Sequence, residues 1–300
     1  MTITNVTDAL FPVVDVTDWE PIDLEASGGN EGHWRRDPQG NDWYFKPRTE
    51  HGDRAEGEDW AEKISAEYAL LLGVPAATVE LAQLAGRRGS ASRSVRPDEH
   101  ELQHGELLIG AAVDGFVRHA KDRAGHNLTN IKSVLESLRP PPGLPDAWSA
   151  FDAFAGYLVL DALIANMDRH EENWAVLRPL HGEVFLCPSY DHGSALAFGL
   201  TDDRRQRQLE GETMNAFCRR AVAKKFERST DGRLTLVDAA RRALSLASAT
   251  ARDHWTAQLG EIDLHRYAIV VNRVPDLSDV TRTFVHELTR INVERLRHEL

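Results

Sequence analysis

The chain has 300 residues, 42% of them hydrophobic and 27% charged, with a formal net charge of -12. A chain this long can bury about three quarters of its unfolded surface and needs no disulfide or metal staple, and its length predicts two domains or one two-lobed unit. The acidic balance argues against nonspecific binding to nucleic acid or anionic membrane, because both need a basic surface.

Residues 1–26 are acidic and mixed, with short apolar runs such as Leu10–Val14, and a turn-rich segment follows at Ser27–Gly32. Two strand-like runs flank a second turn at Asp37–Asp42, and the later run, Trp43–Lys46, has the aromatic content of a strand. From Glu58 to Leu72 the apolar positions Trp60, Ile64, Tyr68, Leu71 and Leu72 keep helical spacing, and Gly73 marks the stop. An extended piece is expected at Ala77–Ala82 and one more strand around Ser92–Val95. The remainder reads as mostly helical, punctuated by Pro140–Gly143, with a long apolar helix over Trp148–Ala165. Val280, Phe284, Leu288, Ile291 and Leu300 form a C-terminal stripe that either packs on its own lobe or receives a partner.

Cys187 and Cys218 are too few for a disulfide scaffold or a four-cysteine zinc site and suit a reducing cytoplasm. Met1–Asn5 lacks the features of a signal peptide. The apolar stretch Phe151–Met167 is interrupted by Asp152, Asp161 and Asn166 and falls short of the ~20 residues of a membrane span. Asp152 and Asp161 either lie on an exposed helix face or are buried and paired, Asp161 then bracing the loop that follows.

The chemistry concentrates in that loop, Asn166-Met167-Asp168-Arg169-His170-Glu171-Glu172-Asn173-Trp174, and in a second acidic site at Ser189–Gly193. Between them Ala175–Leu177 and Val184–Leu186 predict a hairpin, which returns Asp191 close to Asn173. Phosphoryl transfer needs one carboxylate for the attacking hydroxyl, and a second carboxylate with an amide oxygen for Mg²⁺. Asp168 and Asn173 have the D-x-x-x-x-N spacing of protein kinases, and Asp191-His192-Gly193 reads as a variant Asp-Phe-Gly turn. Walker A, His-Glu-x-x-His and Gly-x-Ser-x-Gly strings are absent, so P-loop, zinc and serine-hydrolase chemistry lack their signatures.

The N-x-D-R-H-x-x-N loop at 166–173 followed by Pro188-Ser189-Tyr190-Asp191 resembles the HipA-like serine/threonine kinases, many of them toxins of bacterial toxin–antitoxin modules. The resemblance spans roughly residues 20–300 and is dense only at 166–193. It implies an α+β, protein-kinase-like fold, with a small β-rich N-lobe at 1–110 and a larger helical C-lobe at 111–300. It implies ATP and Mg²⁺ as cofactors, and a protein hydroxyl as acceptor, such as one on an aminoacyl-tRNA synthetase. Asp168 would be the base, His170 would orient the loop, and Asn173 and Asp191 would hold the metal. Ser27, Gly28, Gly29 and Gly32 would cover the phosphates, although a plain turn reads equally well there. Lys46 would contact the phosphates, Glu62 (or else Glu67) would position Lys46, and Ser94 falls where the family contacts adenine. Ser27 also matches a serine that some members autophosphorylate. Longer members carry a further N-terminal subdomain, so a separate subdomain or an antitoxin is an expected partner. Phosphoinositide-kinase relatives share Asp-Arg-His, which keeps a lipid or small-molecule kinase open, as well as a nucleotide-binding pseudokinase.

Overall fold

In the computed structural model, residues 9–22, 32–52, 54–228, 230 and 232–300 are described. The first half is built on β1 (Val13–Asp15), β2 (Glu20–Pro21), β3 (His33–Arg36), β4 (Asp42–Pro47), the short pair β5 (Glu50–His51) and β6 (Arg54–Ala55), α1 (Glu58–Leu72), β7 (Val79–Leu84) and β8 (Arg87–Arg93). Six of these strands form a sheet in the order β1-β7-β8-β4-β3-β2, antiparallel except for the parallel β1–β7 pair.

The β3–β4 turn is set by Asp37, whose carboxylate accepts from the backbone N–H of Gln39 and Asn41, from the Asn41 amide and from the Trp43 indole. Trp43 and Phe45 then alternate inward to join Val16, Ala82 and Ala91 beneath the sheet. The helix expected at 58–72 is α1, and it ends where Gly73 takes φ 77°, a left-handed turn that glycine adopts without strain. Ile64, Tyr68 and Leu72 on its apolar face are fully buried.

The second half opens with β9 (His100–His104), α2 (Gly105–Ala112), α3 (Leu128–Leu135), α4 (Ala150–Leu163), β10 (Ala175–Pro179) and β11 (Phe185–Leu186). The hairpin expected after Trp174 is present, Val176 facing Leu186 and Leu177 facing Phe185, and β9 completes a second sheet in the order β11-β10-β9. Five more helices follow: α5 (Asp202–Glu210), α6 (Met214–Arg219), α7 (Leu236–Leu246), α8 (Ala249–Gly260) and α9 (Leu264–Asn272). The chain closes on α10 (Asp279–Glu299).

Every residue of α4 is buried, as its apolar circumference demands. Its N-terminus carries a capping box in which Ser149 and Asp152 satisfy each other's backbone N–H groups. The second Asp152 oxygen accepts from Ser248 N–H at 2.7 Å. Asp152 and Asp161 are therefore buried and partnered, and the exposed-face alternative is ruled out. The stripe on α10 packs inside the chain: Phe284, Leu288 and Ile291 belong to the main core around α4. Both cysteines are buried and free. Among the described residues no helix is long and apolar enough to cross a membrane.

Candidate active site

The loop after α4 begins where Ala165 takes φ 53° and turns the chain away from the helix axis. Arg169 reaches back into the core: its guanidinium forms a fork on Asp161 (2.9 and 2.8 Å), donates to the Asn173 carbonyl (2.8 Å) and to Ser189 Oγ (3.0 Å). Asp161 also accepts from the Asn166 amide at 2.8 Å. One buried ion pair thus braces both ends of the loop, the role the sequence left open for Asp161.

Asn173 is buried, and its amide N–H donates to the Asp168 carbonyl at 2.9 Å. The Asp168 side chain keeps 32% of its surface exposed, open to an incoming group. His170 Nδ1 accepts from Glu172 N–H at 3.2 Å. Burial depresses the pKa of His170, against the opposing pull of Asp168 and Asp191. A neutral ring that holds the loop backbone follows from that geometry.

The hairpin β10–β11 returns the chain to this loop. Cys187 N–H bonds the Ala175 carbonyl at 2.9 Å, and Tyr190 OH donates to the Glu172 carbonyl at 2.8 Å. Residues adjacent to Asp191 and Asn173 are therefore tied together. Asp191 itself takes φ 56°, so its carboxylate leaves the strand direction. Lys46, on β4, approaches Asp191 Oδ1 at 3.4 Å. Burial works to raise the Asp191 pKa, but the Lys46 ammonium beside it holds the carboxyl below its ordinary value. Lys46 is raised in turn, chiefly by Asp191 and against burial, with Glu62 adding at longer range.

Glu62 lies buried on α1, with Oε1 3.7 Å from His192 Nδ1. His192 Nε2 meets Ser189 Oγ at 2.7 Å, and Ser189 also receives the Arg169 bond. A hydrogen-bonded chain, Asp161–Arg169–Ser189–His192, therefore joins α4 and both loops, and Glu62 on α1 stands beside its end, beyond hydrogen-bond distance. Gly193 permits this approach, because a Cβ there would stand 3.2 Å from Glu62 Oε2. Glu67 turns elsewhere and pairs with Lys63 at 2.8 Å. Among the described residues Glu62 has no ion pair with Lys46 within 4.0 Å; Lys46 meets Asp191.

The other expected residues are more distant or undescribed. Ser27, Gly28 and Gly29 lie outside the described residues. Gly32 enters β3, and a Cβ there would fall 1.9 Å from the Tyr44 hydroxyl, so glycine is required for packing. Ser94 follows β8 and its N–H bonds the Asp42 carbonyl at 2.8 Å. It is four residues beyond Ser90, which pairs with Lys46, so it lies roughly 13 Å along the ladder from that lysine.

Three groups near Asp168 escaped the sequence reading. Lys225 Nζ sits 3.0 Å from Asp168 Oδ1, and Ser194 Oγ donates to Oδ2 at 3.3 Å. His126 accepts from the Trp174 indole at 3.1 Å and donates to the Lys225 carbonyl at 2.7 Å. No local spacing links residues 126, 168 and 225; only the position of Ser194, three residues after Asp191, offered a signal.

Asn173 and Asp191 offer an amide oxygen and a carboxylate, with the Asp168 carboxylate on the same loop as Asn173. Hard oxygen donors of this kind suit Mg²⁺ in company with phosphate oxygens, so the residues fit the ion. The β-rich first half, the helical second half and the paired loops define an α+β, protein-kinase-like chain.

Comparison with known proteins agrees. The chain is 24% identical over 208 residues to the serine/threonine-protein kinase CtkA of Helicobacter pylori, a match covering 61% of this chain and 62% of that protein's length. The crystal structure of CtkA superposes with a TM-score of 0.73 at 18% identity, covering 96% of this chain and 98% of that one. HipA of Shewanella oneidensis MR-1, solved with HipB and operator DNA, superposes with a TM-score of 0.53 at 14% identity, covering 99% of this chain and 70% of that one. No family model matches the sequence. The chain therefore shares the fold of CtkA and HipA.

Proposed function

We propose that this chain is an ATP- and Mg²⁺-dependent kinase that transfers the γ-phosphoryl group to a serine or threonine hydroxyl of a protein. The observation that carries the reading is the Lys46–Asp191 contact at 3.4 Å, set beside the loop that bears Asp168 and Asn173. It supplies a cation for phosphate, a carboxylate–amide pair for the metal and an exposed carboxylate for the acceptor in one place.

In this reading Lys46 neutralises the non-transferred phosphates, and Glu62 positions α1 against the Asp191 loop through His192. Asp168 accepts the hydrogen bond of the acceptor hydroxyl and orients it for in-line attack. Asn173 and Asp191 would hold Mg²⁺, which when bound neutralises charge on the phosphate oxygens. His170 keeps the loop backbone in place. Ser27, Gly28, Gly29 and Gly32 belong to the nucleotide-covering segment, and Ser94 to the adenine side. The name of CtkA supports a protein acceptor. The HipA structure supports a finer version, a toxin-type kinase with an antitoxin-like partner. Two buried thiols without a disulfide suit action in the cytoplasm.

Isothermal titration with ATP and Mg²⁺, followed by transfer of labelled γ-phosphate to a serine/threonine peptide library, tests the reading. Binding with transfer is expected. Binding without transfer would mark a pseudokinase, and the absence of both would refute nucleotide use.

A further inference from the structure

The segment that carries Lys225 is held with more care than a surface ion pair requires. Ala223 N–H bonds the Leu234 carbonyl at 2.9 Å, Glu227 N–H bonds the His126 carbonyl at 2.9 Å, and the His126 ring donates to the carbonyl of Lys225 itself. Phe226 is buried with its ring centroid 4.8 Å from that of His126. On its other side His126 accepts the indole N–H of Trp174 at 3.1 Å, the two rings lying nearly coplanar and edge to edge, and Trp174 follows Asn173 directly. His126 is therefore a spacer of fixed thickness between the loop bearing Asp168 and Asn173 and the backbone of Lys225. The result is an ammonium 3.0 Å from Asp168 Oδ1, with 28% of the Lys225 side chain exposed.

Each key carboxylate of the site consequently has its own lysine: Lys46 on Asp191 and Lys225 on Asp168. The pairing with Asp168 uses one direction of an ammonium that has three donors. Charge in phosphoryl transfer spreads over the equatorial oxygens of the group in flight, between nucleotide and acceptor. A cation fixed beside the acceptor carboxylate stands where that charge passes.

We propose that Lys225 is a second phosphate-contacting lysine, one that steadies Asp168 and donates to the γ-phosphoryl oxygens during transfer. This assignment rests on the kinase reading above. In the step, the acceptor oxygen forms its bond to γ-phosphorus, the bond from γ-phosphorus to the β-bridging oxygen breaks, and the electron pair leaves with ADP. The hydroxyl proton passes to Asp168, and Lys225 keeps its own protons throughout.

The test compares wild type with Lys225→Ala and Lys225→Arg. Four quantities are read: melting temperature, ADP affinity, affinity for ADP with aluminium fluoride and Mg²⁺ as a mimic of the group in flight, and kcat and KM for ATP. Lys225→Ala is expected to keep ADP affinity and KM within about twofold while kcat falls about 10²–10³-fold, the usual cost of one such donor. Affinity for the aluminium fluoride complex should fall with kcat, and Lys225→Arg should recover part of both. An active wild type matched by an equally active Lys225→Ala would overturn the assignment and leave the kinase reading standing. Equal losses of ADP affinity, aluminium fluoride affinity and melting temperature would overturn it too, by reducing Lys225 to a structural role. A wild type that neither binds nor turns over ATP would overturn the kinase reading and this assignment together.

Discussion

Arg169 and Asp161 meet as a two-point ion pair with 2% and 1% of their side-chain surfaces exposed, beneath the loop that carries Asp168 and Asn173. Arg169 spends a third donor on the Asn173 carbonyl and shares a bond with Ser189, so the pair fixes both loops of the site. Removing one partner strands a buried charge. Asp161→Ala should therefore destabilise the chain by about 3–5 kcal/mol, whereas Asp42→Ala, at the more exposed Arg36–Asp42 pair, should cost no more than about 1 kcal/mol. Urea unfolding of the two variants measures the contrast.

The two glutamates that α1 offered to the sequence reading have separate surroundings, so their variants should separate as well. Glu62 touches the Asp191 loop through His192, whereas Glu67 shares Lys63 with Glu80. Glu62→Ala should lower kcat/KM by about tenfold or more through lost positioning, with Glu67→Ala staying within about twofold. Steady-state kinetics on both variants checks this.

Lys46 is the cation proposed for the nucleotide phosphates, and its pKa is raised, chiefly by Asp191, so it stays charged over a wider range than a free lysine. Lys46→Met should cut kcat/KM for ATP by about 10²–10³-fold. It should also weaken Mg²⁺–ATP binding in titration calorimetry, because the phosphates lose their fixed cation.

His126 makes folding sensitive to acid. Burial is the main cause that lowers its pKa from 6.5 to about 4, so the unfolded chain takes up this proton well before the folded one. Between pH 6.5 and about 4 the unfolded state binds more protons, and stability must fall as pH falls through that window. The full loss is on the order of 3 kcal/mol, since each pKa unit corresponds to about 1.36 kcal/mol. Melting temperature against pH should slope more steeply over this range in the wild type than in His126→Gln.

Legibility followed distance along the chain. α1 and its Gly73 stop were readable because helical spacing and a left-handed glycine are local signals. The β10–β11 hairpin was readable because two apolar runs flank a turn, and it predicted that Asp191 would come back towards Asn173. β1 was missed: three residues paired in parallel with β7 leave no periodicity to detect. Arg169 was present in the motif, yet its partner Asp161 could be placed only on a buried or an exposed face until the core was seen. Lys225 and His126 were invisible because tertiary packing alone brings them to Asp168 and Trp174.

The most direct measurement is transfer of labelled γ-phosphate from ATP, with Mg²⁺, to a serine/threonine peptide library by wild type, Asp168→Asn and Asp191→Asn at matched melting temperatures. The account predicts label on serine or threonine hydroxyls with the wild type and a loss of at least about 10²-fold in each variant. A folded wild type that transfers nothing, or an Asp168→Asn variant that transfers as well as the wild type, would contradict it.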